Sequence, residues 1–234
     1  MNRLWIGFAP FIVVSAIHVV ALAVGADTIA ETTKLLLMPM LAAAVLWGGR
    51  GSRGGLTYVL LLTAIALSWI GDGAGTFFPT LPTVPMMLLF FGLAHLCYIW
   101  LFWRVISVRR VPRWALVYGV WWVALVAILV PLILQNIGGG PFAIAVAIYG
   151  LVLGGTAFAA SRCHPLVAWG GALFLGSDSI LAFRLFAPDA MPDWTSPLVM
   201  LTYCLGQGLI AAGVIVAARR RVAIPAPELM EGAA

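Results

Sequence analysis

The chain alternates long apolar runs with short polar or basic segments. Eight runs have about the 20 residues that a helix needs to cross the hydrocarbon core of a bilayer, and they lack the two-residue alternation of an outer-membrane strand. These runs are 5–24, 33–48, 56–72, 86–105, 114–134, 141–160, 165–186 and 197–218. The pattern predicts an all-α membrane protein, a bundle of eight transmembrane helices.

The first run ends in ALAVGAD, which is similar to a signal-peptide cleavage site. We interpret the run as a retained helix, because His18 is unusual in a signal sequence and the run is long for one. Asp27 and Glu31 are expected in a short loop before the second run. Cleavage would leave seven helices and an outside N-terminus without moving any other loop.

Basic residues mark every second loop. They follow the second, fourth, sixth and eighth runs and are Arg50, Arg53, Arg104, Arg109, Arg110, Arg113, Arg162, Arg219, Arg220 and Arg221. Because positive loops stay on the cytoplasmic side, both termini are predicted inside, in the cell membrane of a bacterial-type cell. We predict a single domain, 1–221, and a disordered cytoplasmic tail, 222–234.

Composition narrows the class further. With 63% hydrophobic and 9% charged residues, the chain has too little polar surface for a soluble globule. The net charge of +5 comes from the arginine clusters at run ends, so nucleic acid is not an expected partner. The three cysteines, Cys97, Cys163 and Cys204, have no metal-ligand spacing, and we expect neither a metal nor a cofactor. Motifs of serine hydrolases, redox enzymes and nucleotide-binding proteins are missing from the sequence.

Two aspartates within apolar surroundings are candidates for chemistry. Asp72 closes the third run, and Asp178 lies ~12 Å inside the seventh at 1.5 Å per residue. A carboxylate at that depth needs a cation, a hydrogen-bond network or a proton, whereas Asp72 has the structural alternative of a helix end that faces water. Two carboxylates in one low-dielectric cavity do not both ionise cheaply. One of them tends to keep its proton, which gives a general acid beside a general base.

Other polar side chains come in pairs on one helix face. His95 and Tyr98 are three residues apart, and Tyr203 and Gln207 are four apart. The structural alternatives are a core histidine bonded to a backbone carbonyl and hydrogen bonds between neighbouring helices. Either pair is equally suited to hold a ligand.

Lys34 opens the second run, where a cation is unfavourable to the helix dipole. An acidic partner such as Asp72, or an anionic ligand, is therefore expected beside it. Arg184 is expected to extend to the interface, within reach of a phosphate, and His18 is expected to be structural. In the predicted topology all these polar residues lie between the middle and the outer face of the membrane, so we expect them to share one cavity.

Taken together, these residues resemble the YhhN family of membrane lysoplasmalogenases. The resemblance covers the second to the eighth run and rests on Lys34, Gly71-Asp72, His95-Leu-Cys-Tyr98, the segment GALFLGSDSILAF, and Tyr203 with Gln207. The family commonly has proline directly after the lysine, whereas here Leu35 follows Lys34 and the next proline is Pro39.

The resemblance implies a hydrolase that splits the vinyl ether bond of lysoplasmalogens into a fatty aldehyde and a glycerophospho-base. Protonation of a vinyl ether demands a proton donor, a nearby negative charge and one held water. We assign Asp178 as the acid and Asp72 as the base. The two roles are also compatible with the opposite assignment. The substrate-binding residues would be Lys34, His95, Tyr98, Ser177, Tyr203, Gln207 and Arg184, and the partner a membrane lysophospholipid.

Two other classes remain as alternatives. A proton-coupled transporter of a small or lipid-like solute would also carry acids and a histidine at membrane depth. Its polar residues would line a path through the membrane, however, and here they cluster toward one face. A non-catalytic lipid-binding or scaffold protein leaves Asp178 without a role. Head group and oligomeric state stay open.

Overall fold

Eight long helices form the structure, a computed structural model that describes residues 2–50, 55–108, 110–136 and 139–222. They are α1 Asn2–Ala23, α2 Asp27–Gly48, α3 Gly55–Asp72, α4 Thr83–Trp100, α5 Val117–Asn136, α6 Gly140–Ala160, α7 Pro165–Phe186 and α8 Thr195–Val222. The described residues contain no strand. All eight helices, with their short extensions, are long and apolar enough to cross a membrane, which confirms the predicted fold class and makes the chain a multi-pass membrane protein.

The second helix is longer than predicted. It begins at Asp27, so Asp27 and Glu31 belong to its first two turns and not to a loop. Acidic side chains are favourable there because they face the positive end of the helix dipole. Lys34 consequently lies two turns inside the helix, and the prediction that it sits at a helix start was wrong.

Short helical segments extend some of the long helices or lie between them. A four-residue turn, Ala74–Phe77, follows α3, and α4 continues as a π-helix over Leu101–Val105. Two 3-10 turns, Arg113–Leu116 and Pro188–Ala190, precede α5 and follow α7. Among the sequence predictions, Arg53, Arg109 and the tail beyond Val222 fall outside the described residues.

The arginine-bearing ends of the helices meet at one end of the bundle. The Arg219 guanidinium donates two hydrogen bonds, of 2.6 and 3.2 Å, to the carbonyl oxygen of Gly48, which ties the end of α8 to the end of α2. The Val108 N–H donates to the Arg162 carbonyl at 3.1 Å and joins the segments after α4 and α6. We call this the basic end. With eight helices in series, the first residue of α1 and the last residue of α8 belong to this end, while its cytoplasmic location stays a prediction.

Close contact between α7 and α8 fixes the helix that carries Asp178. A Cβ on Gly170 would lie 2.8 Å from the Gly206 carbonyl oxygen, and one on Gly206 would lie 2.9 Å from the Phe174 nitrogen. Only glycine permits this approach, and small residues are a common solution where membrane helices pack backbone to backbone. The start of α7 is set locally by Pro165 at its first position, which needs no amide hydrogen bond.

Aromatic side chains pack at the centre of the bundle. The Phe174 ring meets the Tyr203 ring edge-on at 5.3 Å between centroids, and Phe91 meets Tyr203 at 6.1 Å. Edge-to-face pairs of this kind contribute about 0.5–1.5 kcal/mol each beyond their buried area. They hold the Tyr203 ring in one orientation, so its hydroxyl is presented to the end of α3.

Candidate functional site

A cavity between α2 to α8 brings the two aspartates together. We call it the first cavity; it has about 920 Å³ of empty space, including its open side. Its polar lining is Lys34, Asp72, Tyr149, Ser177, Asp178 and Tyr203. The rest is mainly leucine, valine, methionine and aromatic side chains, so the cavity is an apolar space with one polar end.

A tyrosine hydroxyl holds each aspartate. The Tyr203 Oη donates to Oδ2 of Asp72 at 2.7 Å, and the Tyr149 Oη donates to Oδ2 of Asp178. In both carboxyl groups the other oxygen, Oδ1, is left for a proton or a ligand. The two carboxyl groups also lie within electrostatic range of one another. The arrangement therefore brings two carboxyl groups to the same space.

Sequence reasoning missed Tyr149. This residue lies in the middle of α6, nine residues after its first residue, Gly140. Tyrosines of membrane proteins usually lie at the ends of helices, in the interfacial belts. A tyrosine at mid-membrane depth is the signal that was available, because its hydroxyl needs a partner there.

Lys34 lies at the polar end of the first cavity, where its charge acts on Asp72. The sequence prediction named this pair, although its reason, the helix start, was wrong. The ammonium group is a counter-charge for a carboxylate at Asp72.

Ser177 lines the same cavity, but its hydroxyl has a partner in the neighbouring helix. The Ser177 Oγ donates to the carbonyl oxygen of Val199 at 2.9 Å. This bond joins α7 to α8 next to Asp178. The hydroxyl oxygen keeps its acceptor capacity toward the cavity.

Tyr98 and Gln207 do not line the first cavity. The Tyr98 Oη donates to Oε1 of Gln207 at 2.6 Å, and Nε2 of Gln207 donates to Oγ of Ser68 at 3.1 Å. All three side chains are fully buried. They link α4, α8 and α3, so Tyr98 and Gln207 make hydrogen bonds between neighbouring helices, which is the structural alternative. Neither side chain is placed to contact a substrate directly.

His95 is fully buried behind the tyrosine that holds Asp178. Its ring lies 5.9 Å from the Tyr149 ring and 4.7 Å from the Phe174 ring, between centroids. Nδ1 is 3.1 Å from Oγ1 of Thr156, whose hydrogen goes to the Val152 carbonyl at 3.0 Å. With the single Thr156 hydrogen on a backbone carbonyl, the histidine nitrogen is the donor. His95 supports the site from behind and has no place in the cavity wall.

The family model of the YhhN family matches residues 29–214, from the first turns of α2 to α8. The chain belongs to the YhhN family. No curated protein and no solved structure matched it. The segment that places this chain in the YhhN family contains both aspartates and both tyrosines that hold them.

Arg184 and His18 lie in a second cavity of this YhhN chain, between α1, α2, α7 and α8, with about 820 Å³ of empty space including its open side. The two cavities adjoin, because the side chains of Lys34, Leu181, Val199 and Met200 line both. The expectation of one shared cavity was therefore wrong. The polar residues divide into those of the first cavity, those of the second cavity, the buried layer of Ser68, Tyr98 and Gln207, and His95 behind Tyr149. Among the described residues, no group of three histidine, cysteine or acidic side chains is placed to hold a metal ion.

Proposed function

We propose that this YhhN family member is a lysoplasmalogenase-like hydrolase, which cleaves the vinyl ether bond of a lysoplasmalogen to a fatty aldehyde and a glycerophospho-base. The observation that carries the proposal is the pair Asp72 and Asp178, which face one apolar cavity and are each oriented by a tyrosine. Membership of the family supports the same activity.

The lining of the first cavity suits a lipid with one chain. Its apolar part is formed by α4 to α8 and includes Leu88, Leu125, Leu129 and Val146. A chain placed there directs its ether oxygen toward the polar end, where the two aspartates lie. The glycerol and phosphate then continue toward Lys34. The polar and apolar parts of the cavity thus follow the order of groups in the substrate.

The first half of the reaction needs a proton at carbon. Asp178 in its protonated form gives its proton to the β carbon of the vinyl ether, which leaves an oxocarbenium ion at the α carbon. The carboxylate of Asp72 stabilises that positive charge across the cavity. Asp72 then takes a proton from a water molecule as the water oxygen attacks the α carbon, and the product is a hemiacetal.

The second half restores both side chains. The hemiacetal hydroxyl gives its proton to the carboxylate of Asp178, while Asp72 protonates the departing glycerol oxygen. The carbon–oxygen bond breaks and the aldehyde forms. Lys34, as counter-charge to Asp72, favours this assignment of the base. Asp178 lies two turns inside α7, whereas Asp72 is the last residue of α3, and this position favours Asp178 as the acid. Tyr149 and Tyr203 orient the two carboxyl groups.

The test is product analysis by mass spectrometry with purified protein. A lysoplasmalogen, its saturated alkyl-ether analogue and an acyl lysophospholipid are incubated separately. We expect aldehyde from the first and no product from the second, because a saturated ether does not form the oxocarbenium ion by protonation. Fatty acid from the acyl lipid at an equal rate would indicate an esterase and would contradict the proposal.

The transporter alternative requires a polar route to the basic end. The buried layer of Ser68, Tyr98 and Gln207 occupies the space on that side of the aspartates, and its hydrogen bonds are used between helices. The arrangement therefore favours a closed reaction site over a path. Uptake of a radiolabelled lysolipid into proteoliposomes, without aldehyde release, would favour the transporter instead.

A further inference from the structure

We propose that the second cavity binds the head group of the substrate and selects a primary ammonium group over a quaternary one. The inference deepens the proposed function and rests on it for the orientation of the lipid. The two cavities share Lys34 as a common wall, so a lipid whose chain fills the first cavity and whose phosphate meets Lys34 directs its head group into the second.

Cationic side chains face the phosphate position from two helices. Lys34 comes from α2 and Arg184 from α7, and both are partly buried. Arg184 is anchored through one nitrogen, because Nη1 donates to Oγ1 of Thr195 at 2.6 Å and to the Pro192 carbonyl at 3.2 Å. Its Nη2 and Nε are the nitrogens on the remaining edge of the guanidinium plane. That edge is suited to two oxygens of one phosphate.

His18 supplies a buried acceptor in the same cavity. Its side chain is 2% exposed and lines the cavity, and Nε2 has no hydrogen-bond partner among the described residues. Nδ1 is 2.9 Å from Oγ1 of Thr33, whose single hydrogen goes to the Ile29 carbonyl at 2.6 Å. With the Thr33 hydrogen on a backbone carbonyl, Nδ1 is the nitrogen that donates, and in the neutral imidazole Nε2 is then an acceptor. A buried acceptor of this kind calls for an N–H or O–H donor from a ligand.

The remaining charges of the cavity match an ammonium group. Asp27 and Glu31, on the first two turns of α2, are exposed carboxylates in its lining. Together with His18 they offer acceptors to the three N–H groups of a primary ammonium. A quaternary ammonium has no N–H and is usually held by aromatic rings. No Trp, Tyr or Phe is among the described residues that line this cavity, so its chemistry favours a phosphoethanolamine head group over phosphocholine.

Binding of saturated alkyl-ether lysophospholipids to the purified protein tests the inference without any need for turnover. The head group is varied from ethanolamine through its N-methyl and N,N-dimethyl forms to choline. We expect the wild-type protein to bind the ethanolamine lipid at least tenfold more tightly than the choline lipid, with stepwise loss on methylation, since hydrogen bonds to a charged group are lost.

Glu31→Gln and His18→Phe should each reduce this preference to within threefold, whereas Asp193→Asn, which alters an exposed acid outside the cavity, should retain it. If His18→Phe does not fold, the methylation series in the wild-type protein is the deciding measurement. Equal binding of all four lipids, binding of none, or an unchanged preference in Glu31→Gln would overturn the inference.

Aldehyde release from lysoplasmalogen, measured separately, tests the proposed function. Release with equal binding of the four lipids would contradict only the head-group inference. Selective binding without release would contradict only the proposed hydrolase activity.

Discussion

Replacing Asp178 by asparagine separates catalysis from packing at the candidate site. The amide has the size of the carboxyl group, and its oxygen is able to accept the hydrogen bond that the Tyr149 hydroxyl now donates to Oδ2. What the variant loses is the exchangeable proton. If Asp178 is the general acid, turnover of a lysoplasmalogen should fall by about 100-fold or more, which corresponds to about 2.7 kcal/mol of transition-state stabilisation.

Asp72→Asn should have an effect of similar size, because Tyr203 still has an acceptor while the base is lost. Since the two groups act in one sequence of proton transfers, the double variant should lower turnover little more than the more damaging single variant does. The rate of the wild-type protein against pH should be bell-shaped, with limbs that belong to the coupled pair.

The assay is aldehyde release under steady-state conditions, together with thermal unfolding in detergent. In Asp178→Asn an amide replaces a neutral carboxyl group of the same size, so the melting temperature of this variant should hold. Asp189→Asn, in the exposed turn after α7, is the matched control and should keep full activity. Loss of stability together with activity would mean that the aspartates hold helices in place, and a folded Asp178→Asn protein with full activity would refute the acid–base reasoning.

Two further predictions concern the tyrosines and the topology. Tyr149→Phe should lower turnover about tenfold or more, because a bond to the reacting carboxyl group is lost, while Tyr98→Phe should lower thermal stability and leave turnover within about twofold. If both changes lowered turnover equally, the hydrogen bond from Tyr149 to Asp178 would have no specific role in the reaction. Single-cysteine labelling should place Arg110 on the cytoplasmic side and Asn136 on the outside. Labelling of both from the same side would disprove the eight-crossing topology.

The number and order of the helices were predictable from the sequence, because run length and the polarity of the loops are local properties. The prediction erred at the start of α2, where Asp27 and Glu31 were assigned to a loop. Charged residues ended the apolar run in the sequence, but at a helix N-terminus they are favourable and the helix continues through them. Polarity alone therefore does not set a helix boundary at the membrane surface.

The site was predictable only in part. Asp72 and Asp178 are identifiable because a carboxylate in an apolar run demands an explanation, whatever the packing. How the other polar residues divide depends on contacts between distant helices. Gln207 meets Tyr98 and Ser68 across distances of more than 100 residues in the chain, and nothing in the local pattern distinguishes such a bond from a contact with ligand.

The most direct test of the proposed chemistry is the position of the new proton in the product. Turnover of a lysoplasmalogen in deuterium oxide, with immediate reduction of the aldehyde to stop exchange, gives an alcohol for mass spectrometry. Proton delivery from an exchangeable carboxyl group such as Asp178 predicts one deuterium at the carbon next to the former carbonyl, the old β carbon of the vinyl ether. A product without deuterium at that carbon would contradict the mechanism, because the bond would then have been broken without protonation of the alkene.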